Sequence, residues 1–329
     1  MKSEAAYSIR QDWLDYLKAY AIIMVVLGHS VHYYGIVNLN SIEILLYSIV
    51  TTVHVPLFFV CSGYLCKKQP LNTYYKKKIF RIIIPFITFV IFKLIYGIFI
   101  SSEFTHSKSV SGQIINAFMT GSLYWFIYAI FIMYIIAPFF WRGDVKRRLY
   151  VTFFILFIVN TVLGNCEINK VWDIEIFQIG RVLFFFIYFI VGMICKCNEN
   201  LINKIKNKPL YTFFSTLMIV ALSYGVYNKY NMNQFLTKVL LSLSLMYLLY
   251  ILTVNMPKNI SFLKIVGKYS VQIYFFDSFF KVILFTIFGK FMTITLFVSI
   301  IIAIINIILS CLVCEIIRKI PYIRIMFGL

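Results

Sequence analysis

The stretch WLDYLKAYAIIMVVLGHS, Trp13–Ser30, decides the fold. It runs apolar for nearly the roughly 20 residues that cross a hydrocarbon core, and apart from tyrosines only Asp15, Lys18 and His29 in it can titrate. Comparable runs follow at about 42–65, 79–101, 122–141, 149–165, 177–195, 210–228, 235–255, 267–288 and 291–317. With 61% hydrophobic residues, only 13% charged ones and a mean hydropathy of +0.87, the 329-residue chain has too little polar surface to enclose such segments in water. The fold expected is an all-α integral membrane protein, a single domain over 1–329 with about ten transmembrane helices. The fourth and fifth segments are the least clean, so nine or eleven spans stay open.

Charge orients the bundle. The net charge of +19 would suggest nucleic acid in a soluble chain, but here it follows from Lys and Arg retained in cytoplasmic loops. Lys67, Lys68, Lys76–Lys78, Arg81, Arg142, Lys146–Arg148, Lys196, Lys204, Lys206, Lys208, Lys258, Lys264, Lys268, Arg318, Lys319 and Arg324 fall on one side. The other side holds only Lys108, Lys170, Lys229 and Lys290, with Glu167, Asp173 and Glu175. Both termini are therefore expected in the cytoplasm, with no nucleic acid among the partners. The polar start MKSEAAYSIRQD leads into an apolar run with no small-residue cleavage site, which reads as an uncleaved first span. Seven cysteines, mostly within apolar runs, do not form a disulfide framework, and Cys311 and Cys314 lack a second pair or a nearby His for a metal. No loop exceeds roughly 20 residues, so chemistry must occur among the helices.

Polar residues inside spans are costly and mark functional candidates. Lys18 and His29 lie eleven residues apart, about three helical turns, on one helix face roughly 16 Å apart. A cation at the mouth could hold a phosphate while the imidazole titrates deep in the bilayer; snorkelling and helix packing are the plainer alternatives. HVPLFFVCSGYL (54–65) carries His54, with no local partner between Val53 and Val60, then Pro56, Ser62 and Gly63. Pro56 is expected to kink the helix and free carbonyls, tolerated where a cavity or a neighbouring polar group compensates. In KKKIFRIIIP (76–85), Lys78 and Arg81 are three apart and could clamp donor phosphates. Asp277 and Lys281, four apart, read first as a self-neutralising pair, and Arg181 as an outward anchor or a sugar contact. His32 and His106 read as structural or solvated, and His29 with His32 lacks a third ligand, so no metal is expected.

These residues resemble the membrane-bound acyltransferase 3 family. Lys18 with His29, HVPLFFVCSGYL, KKKIFRIIIP, Leu123-Tyr-Trp125-Phe and GKYSVQIY (267–274) carry the likeness, which is nearest to the polysaccharide O-acetyltransferases and fucose 4-O-acetylase-like proteins. The resemblance implies a transferase of the bacterial cytoplasmic membrane moving acetyl from acetyl-CoA to a surface polysaccharide or lipid-linked sugar. It implies His29 as the catalytic residue, by general base or acyl-His chemistry, and Lys18, Lys78 and Arg81 as donor-binding residues. His54, Ser62, Trp125, Arg181 and Asp277 are expected on the acceptor. Two positions depart from the family: Lys18 stands where Arg is common, and Asp277 where many relatives have His. A multi-span transporter or flippase for a glycolipid or small metabolite is the competing reading, and it would need no acyl-CoA.

Overall fold

The computed structural model describes residues 12–100, 118–120, 124–165, 174, 176–205, 208–227, 234–257 and 260–329. His106 and the charges Lys108, Glu167, Lys170, Asp173, Glu175, Lys206, Lys229 and Lys258 lie outside them. Among the described residues the chain is helical, without strands. The helices are α1 (Asp12–Tyr34), α2 (Ser41–Tyr64), α3 (Leu71–Lys78), α4 (Ile84–Ile100), α5 (Trp125–Ile136), α6 (Val145–Asn165) and α7 (Ile179–Cys197). They continue with α8 (Glu199–Ile205), α9 (Pro209–Tyr227), α10 (Gln234–Asn255), α11 (Ser261–Lys268), α12 (Ser270–Phe291), α13 (Leu296–Arg318) and α14 (Pro321–Met326). Among the described residues six stretches are long and apolar enough to cross a membrane: α1, α2, α10, α12, α13, and the run Ile176–Cys197 that contains α7.

α1 is the central element. Of its membrane-length window 61% is buried, against 33–50% for the other five, and it contacts α2, α10, α11, α12 and α13. Lipid tails are as apolar as these helices, so association rests on close packing and interhelical hydrogen bonds. Glycines supply the closest approaches. A Cβ on Gly63 would lie 2.0 Å from the Phe189 carbonyl, and one on Gly192 would lie 2.1 Å from that of Val60, so α2 and α7 cross backbone to backbone. A Cβ on Gly267 would lie 1.9 Å from the Asp15 carbonyl, which seats α11 on the first turns of α1.

Local signals fix the ends. Asn40 caps α2 in a reciprocal box: its side chain accepts from Ile42 and Glu43 amides at 3.0 Å, and Glu43 accepts the Asn40 amide at 2.8 Å. Pro56 cannot donate to the Thr52 carbonyl one turn back. Ser242 of α10 does so instead, at 2.9 Å, which fulfils the expected compensation. Before Pro85 the chain widens into a π-turn, Ile79–Ile83, with Arg81 at its centre. Phe177 and Gln178 take left-handed backbone angles (φ 50° and 55°) ahead of α7. Buried Gln178 donates to the Thr120 carbonyl, holding this strained corner against the segment that leads into α5.

Candidate active site

His29 and Asp277 meet across the α1–α12 contact. His29 Nδ1 lies 2.6 Å from Asp277 Oδ2, and Asn306 of α13 donates to Asp277 Oδ1 at 2.8 Å. Ser310 in turn donates to Asn306 Oδ1 at 3.3 Å, which fixes the amide with its NH2 toward the carboxylate. Ionised Asp277 can only accept, so Nδ1 carries the proton and Nε2 is the acceptor nitrogen. Asp277 is 1% exposed, whereas 41% of the His29 side chain is accessible. A buried carboxylate thus contacts a partly accessible imidazole, the arrangement of a general base with its orienting acid. Lys281 stands farther from Asp277, at 3.8 Å. The self-neutralising pair expected from sequence is therefore secondary to the imidazole contact.

A second layer surrounds this pair. Lys93 of α4 lies over the Tyr124 ring, 5.2 Å from its centre, within electrostatic reach of Asp277 and Lys281. The Tyr124 hydroxyl meets Ser278 Oγ at 3.3 Å. One residue on, Trp125 carries the Arg181 guanidinium on its face at 4.6 Å. Trp125 and Arg181, both expected at the acceptor, are thus brought together and border the His29–Asp277 pair through Tyr124.

At the N-terminal end of α1 lies a cavity of about 1030 Å³ lined by Lys18, Lys67, Arg81, Lys196, Lys268 and Arg318, with Asp15 as its lining carboxylate. That volume is at the upper end for small-molecule sites. Lys18 pairs with Asp15 at 2.6 Å, Lys196 with Glu199 at 2.6 Å and Arg318 with Glu315 at 2.9 Å. Lys67 and Arg81 have no carboxylate partner among the described residues. The far wall is the C-terminal segment: Gln272 donates to the Phe327 carbonyl at 3.0 Å, and the Phe327 ring packs against Phe89 and Phe276. Between this cavity and His29 the α1 face is packed shut by Ile22, Val25 and Val26, each at most 3% exposed.

Lys78 and Ser62 stand elsewhere, whereas His54 is within electrostatic reach of His29. The π-turn separates Lys78 from Arg81, so the two do not share the face that α-helical spacing implies. Lys78 instead sits 3.3 Å above the Tyr134 ring, where burial pushes its ammonium down to about 8. Ser62 offers its carbonyl to Tyr134 at 3.4 Å, near Lys78 and away from His29. His54 has a partner after all, one turn earlier than the run searched in the sequence: Nδ1 bonds the Val50 carbonyl at 2.9 Å. Sequence reasoning missed Asn306 and Lys93. Each is a lone polar residue in an apolar run. Among the described residues no group of three His, Cys, Asp or Glu side chains could hold a metal ion.

Two further comparisons find nothing: no curated protein and no solved structure matches the chain. A family model does match, that of the acyltransferase domain of acyltransferase 3 proteins, over residues 11–315. This span holds the His29–Asp277–Asn306 network, the Trp125–Arg181 pair and the described cavity cations other than Arg318. The chain belongs to the acyltransferase 3 family.

Proposed function

We propose that this chain is an O-acyltransferase embedded by ten helices in a bacterial cytoplasmic membrane, both termini in the cytoplasm. It transfers acetyl from cytoplasmic acetyl-CoA to a hydroxyl of a surface polysaccharide or lipid-linked sugar. The observation that carries the reading is the 2.6 Å contact between His29 and buried Asp277. His29 Nε2 takes the proton of the sugar hydroxyl, and the oxygen attacks the thioester carbonyl. The new C–O bond forms, the C–S bond breaks, and the proton passes from His29 to the departing thiolate. Asp277 steadies the imidazolium between these steps.

The cation-lined cavity suits the donor. Its surplus of positive charge matches the phosphates of a nucleotide-type thioester, with Lys18 and Arg81 in the roles expected of them and Lys78 just outside, behind Tyr134. Trp125 and Arg181 suit the sugar, by stacking and hydrogen bonding. For the acyl carbon to approach His29, the pantetheine arm must part α1 from its neighbours at Ile22, Val25 and Val26.

The test is acetyl-CoA binding to the purified protein in detergent, comparing wild type with Lys67→Gln/Arg81→Gln. Neither lysine nor arginine has a described acidic partner to strand. Saturable binding weakened about tenfold or more supports the donor site. A folded protein that binds no acyl-CoA removes the reading in favour of a transporter.

A further inference from the structure

Among the described residues, the surroundings of Asp277 hold more positive than negative charge. Lys93 and Lys281 come from different helices, α4 and α12, and both act on the single carboxylate of Asp277. That carboxylate is already engaged by His29 and by Asn306. Two cations therefore share one spent anion. Every other acidic residue among those described is occupied elsewhere. Asp12 pairs with Lys264, Asp15 with Lys18, Glu199 with Lys196 and Glu315 with Arg318, while Glu43 and Asp144 cap helices. Uncompensated charge within a bilayer is costly and is kept where a ligand or pathway uses it.

Both lysines are only partly covered, Lys281 with 17% of its side chain accessible, and His29 beside them is open. Lys93 reaches the site across the Tyr124 face, whose hydroxyl meets Ser278, one residue from Asp277. Lys281 lies 3.8 Å from the same Asp277 oxygen that meets His29, and Lys93 lies over Tyr124, the residue before Trp125.

We propose that the acceptor is anionic. The sugar whose hydroxyl meets His29 carries a carboxylate or a phosphate, which Lys93 and Lys281 hold. This rests on the acyltransferase reading for the word acceptor, but the anion site is independent of the donor cavity, which neither lysine lines. It also gives the pair a part in specificity: a neutral sugar leaves two ammonium groups short of a counter-ion, and an anionic one supplies it.

The test uses the purified full chain and three small probes: methyl glucoside, methyl glucuronide and glucose 1-phosphate. Thermal stabilisation is titrated for wild type, Lys93→Met/Lys281→Met and the charge-preserving Lys281→Arg, with acetyl-CoA binding and CoA release measured in parallel. Wild type should be stabilised by an anionic probe at concentrations about tenfold lower than by methyl glucoside, as charge-assisted hydrogen bonds require. The double variant should lose that preference and Lys281→Arg should keep it. Preference for the glucuronide assigns a carboxylated sugar; preference for the phosphate assigns a phosphate-linked one. Equal response to charged and neutral probes, or a preference that survives in the folded double variant, overturns the proposal. Anion binding without acetyl-CoA binding would leave the anion site standing and remove the acyltransferase reading instead.

Discussion

Replacing Asp277 by Asn isolates what the carboxylate does for His29. The substitution keeps the volume, and the new amide oxygen can still accept from Asn306, so packing of α12 on α13 is preserved. What is lost is the negative charge 2.6 Å from Nδ1. Two unit charges about 4 Å apart interact by about 4 kcal/mol at an effective dielectric constant near 20. That attraction acts only once His29 becomes an imidazolium, so it lowers the barrier without touching ground-state donor binding. At about 1.4 kcal/mol per decade the loss is about a thousandfold in kcat, inside the range attributed to general-base catalysis. The assay is CoA release with a saturating acceptor, over a range of acetyl-CoA concentrations. The KM for acetyl-CoA should stay within about threefold of wild type, since Asp277 does not line the donor cavity. A folded Asp277→Asn enzyme with wild-type kcat would refute the positioning role. A rise in KM with kcat intact would show that the carboxylate shapes the donor site instead.

Three further outcomes follow from the packing and the charges. Lys18→Gln removes the 2.6 Å ion pair of Asp15, which is 3% exposed, and should lower the melting temperature in detergent; adding Asp15→Asn should recover part of it, and additive losses would contradict the pairing. Gly267→Ala places a methyl group 1.9 Å from the Asp15 carbonyl and should cost about 1–3 kcal/mol. Gly289→Ala, where a Cβ meets nothing within 4 Å, should be neutral or mildly stabilising in the same melt. Lys78 is held near 8, below its ordinary 10.5, so the unfolded chain binds the extra proton between those values. Stability should therefore rise with pH from about 8 to about 10.5, and Lys78→Met should flatten that rise; parallel melting curves for the two proteins would rule the burial effect out.

Much of the architecture was legible because hydrocarbon imposes one period and one length. Helices stand at each apolar segment read from the sequence, and Pro56 announced a carbonyl that another helix would have to satisfy. Within the candidate site, His29 was legible as an imidazole eleven residues along the same helix from Lys18, and Lys18 with Arg81 as mouth cations. Asp277 was harder, because its neighbour in sequence, Lys281, offered a complete local explanation. Only the tertiary contact between α1 and α12 reveals that the imidazole takes precedence. The separation of Lys78 from Arg81 was hidden for a different reason. A π-turn changes the angular step per residue, and spacing arguments assume the α-helical step throughout. Lys93 and Asn306 were visible as isolated polar residues, but their relation to Asp277 depends on helices 184 and 29 residues away in the chain.

The packed layer of Ile22, Val25 and Val26 has a bearing on energy conservation. A base poised within a membrane, if reached by continuous water from both faces, would ferry protons down the electrochemical gradient with every protonation cycle. Three aliphatic side chains with no hydrogen-bonding groups interrupt any such wire along α1. An enzyme of this design can keep a titratable group inside the bilayer while the cell's proton-motive force stays insulated from it.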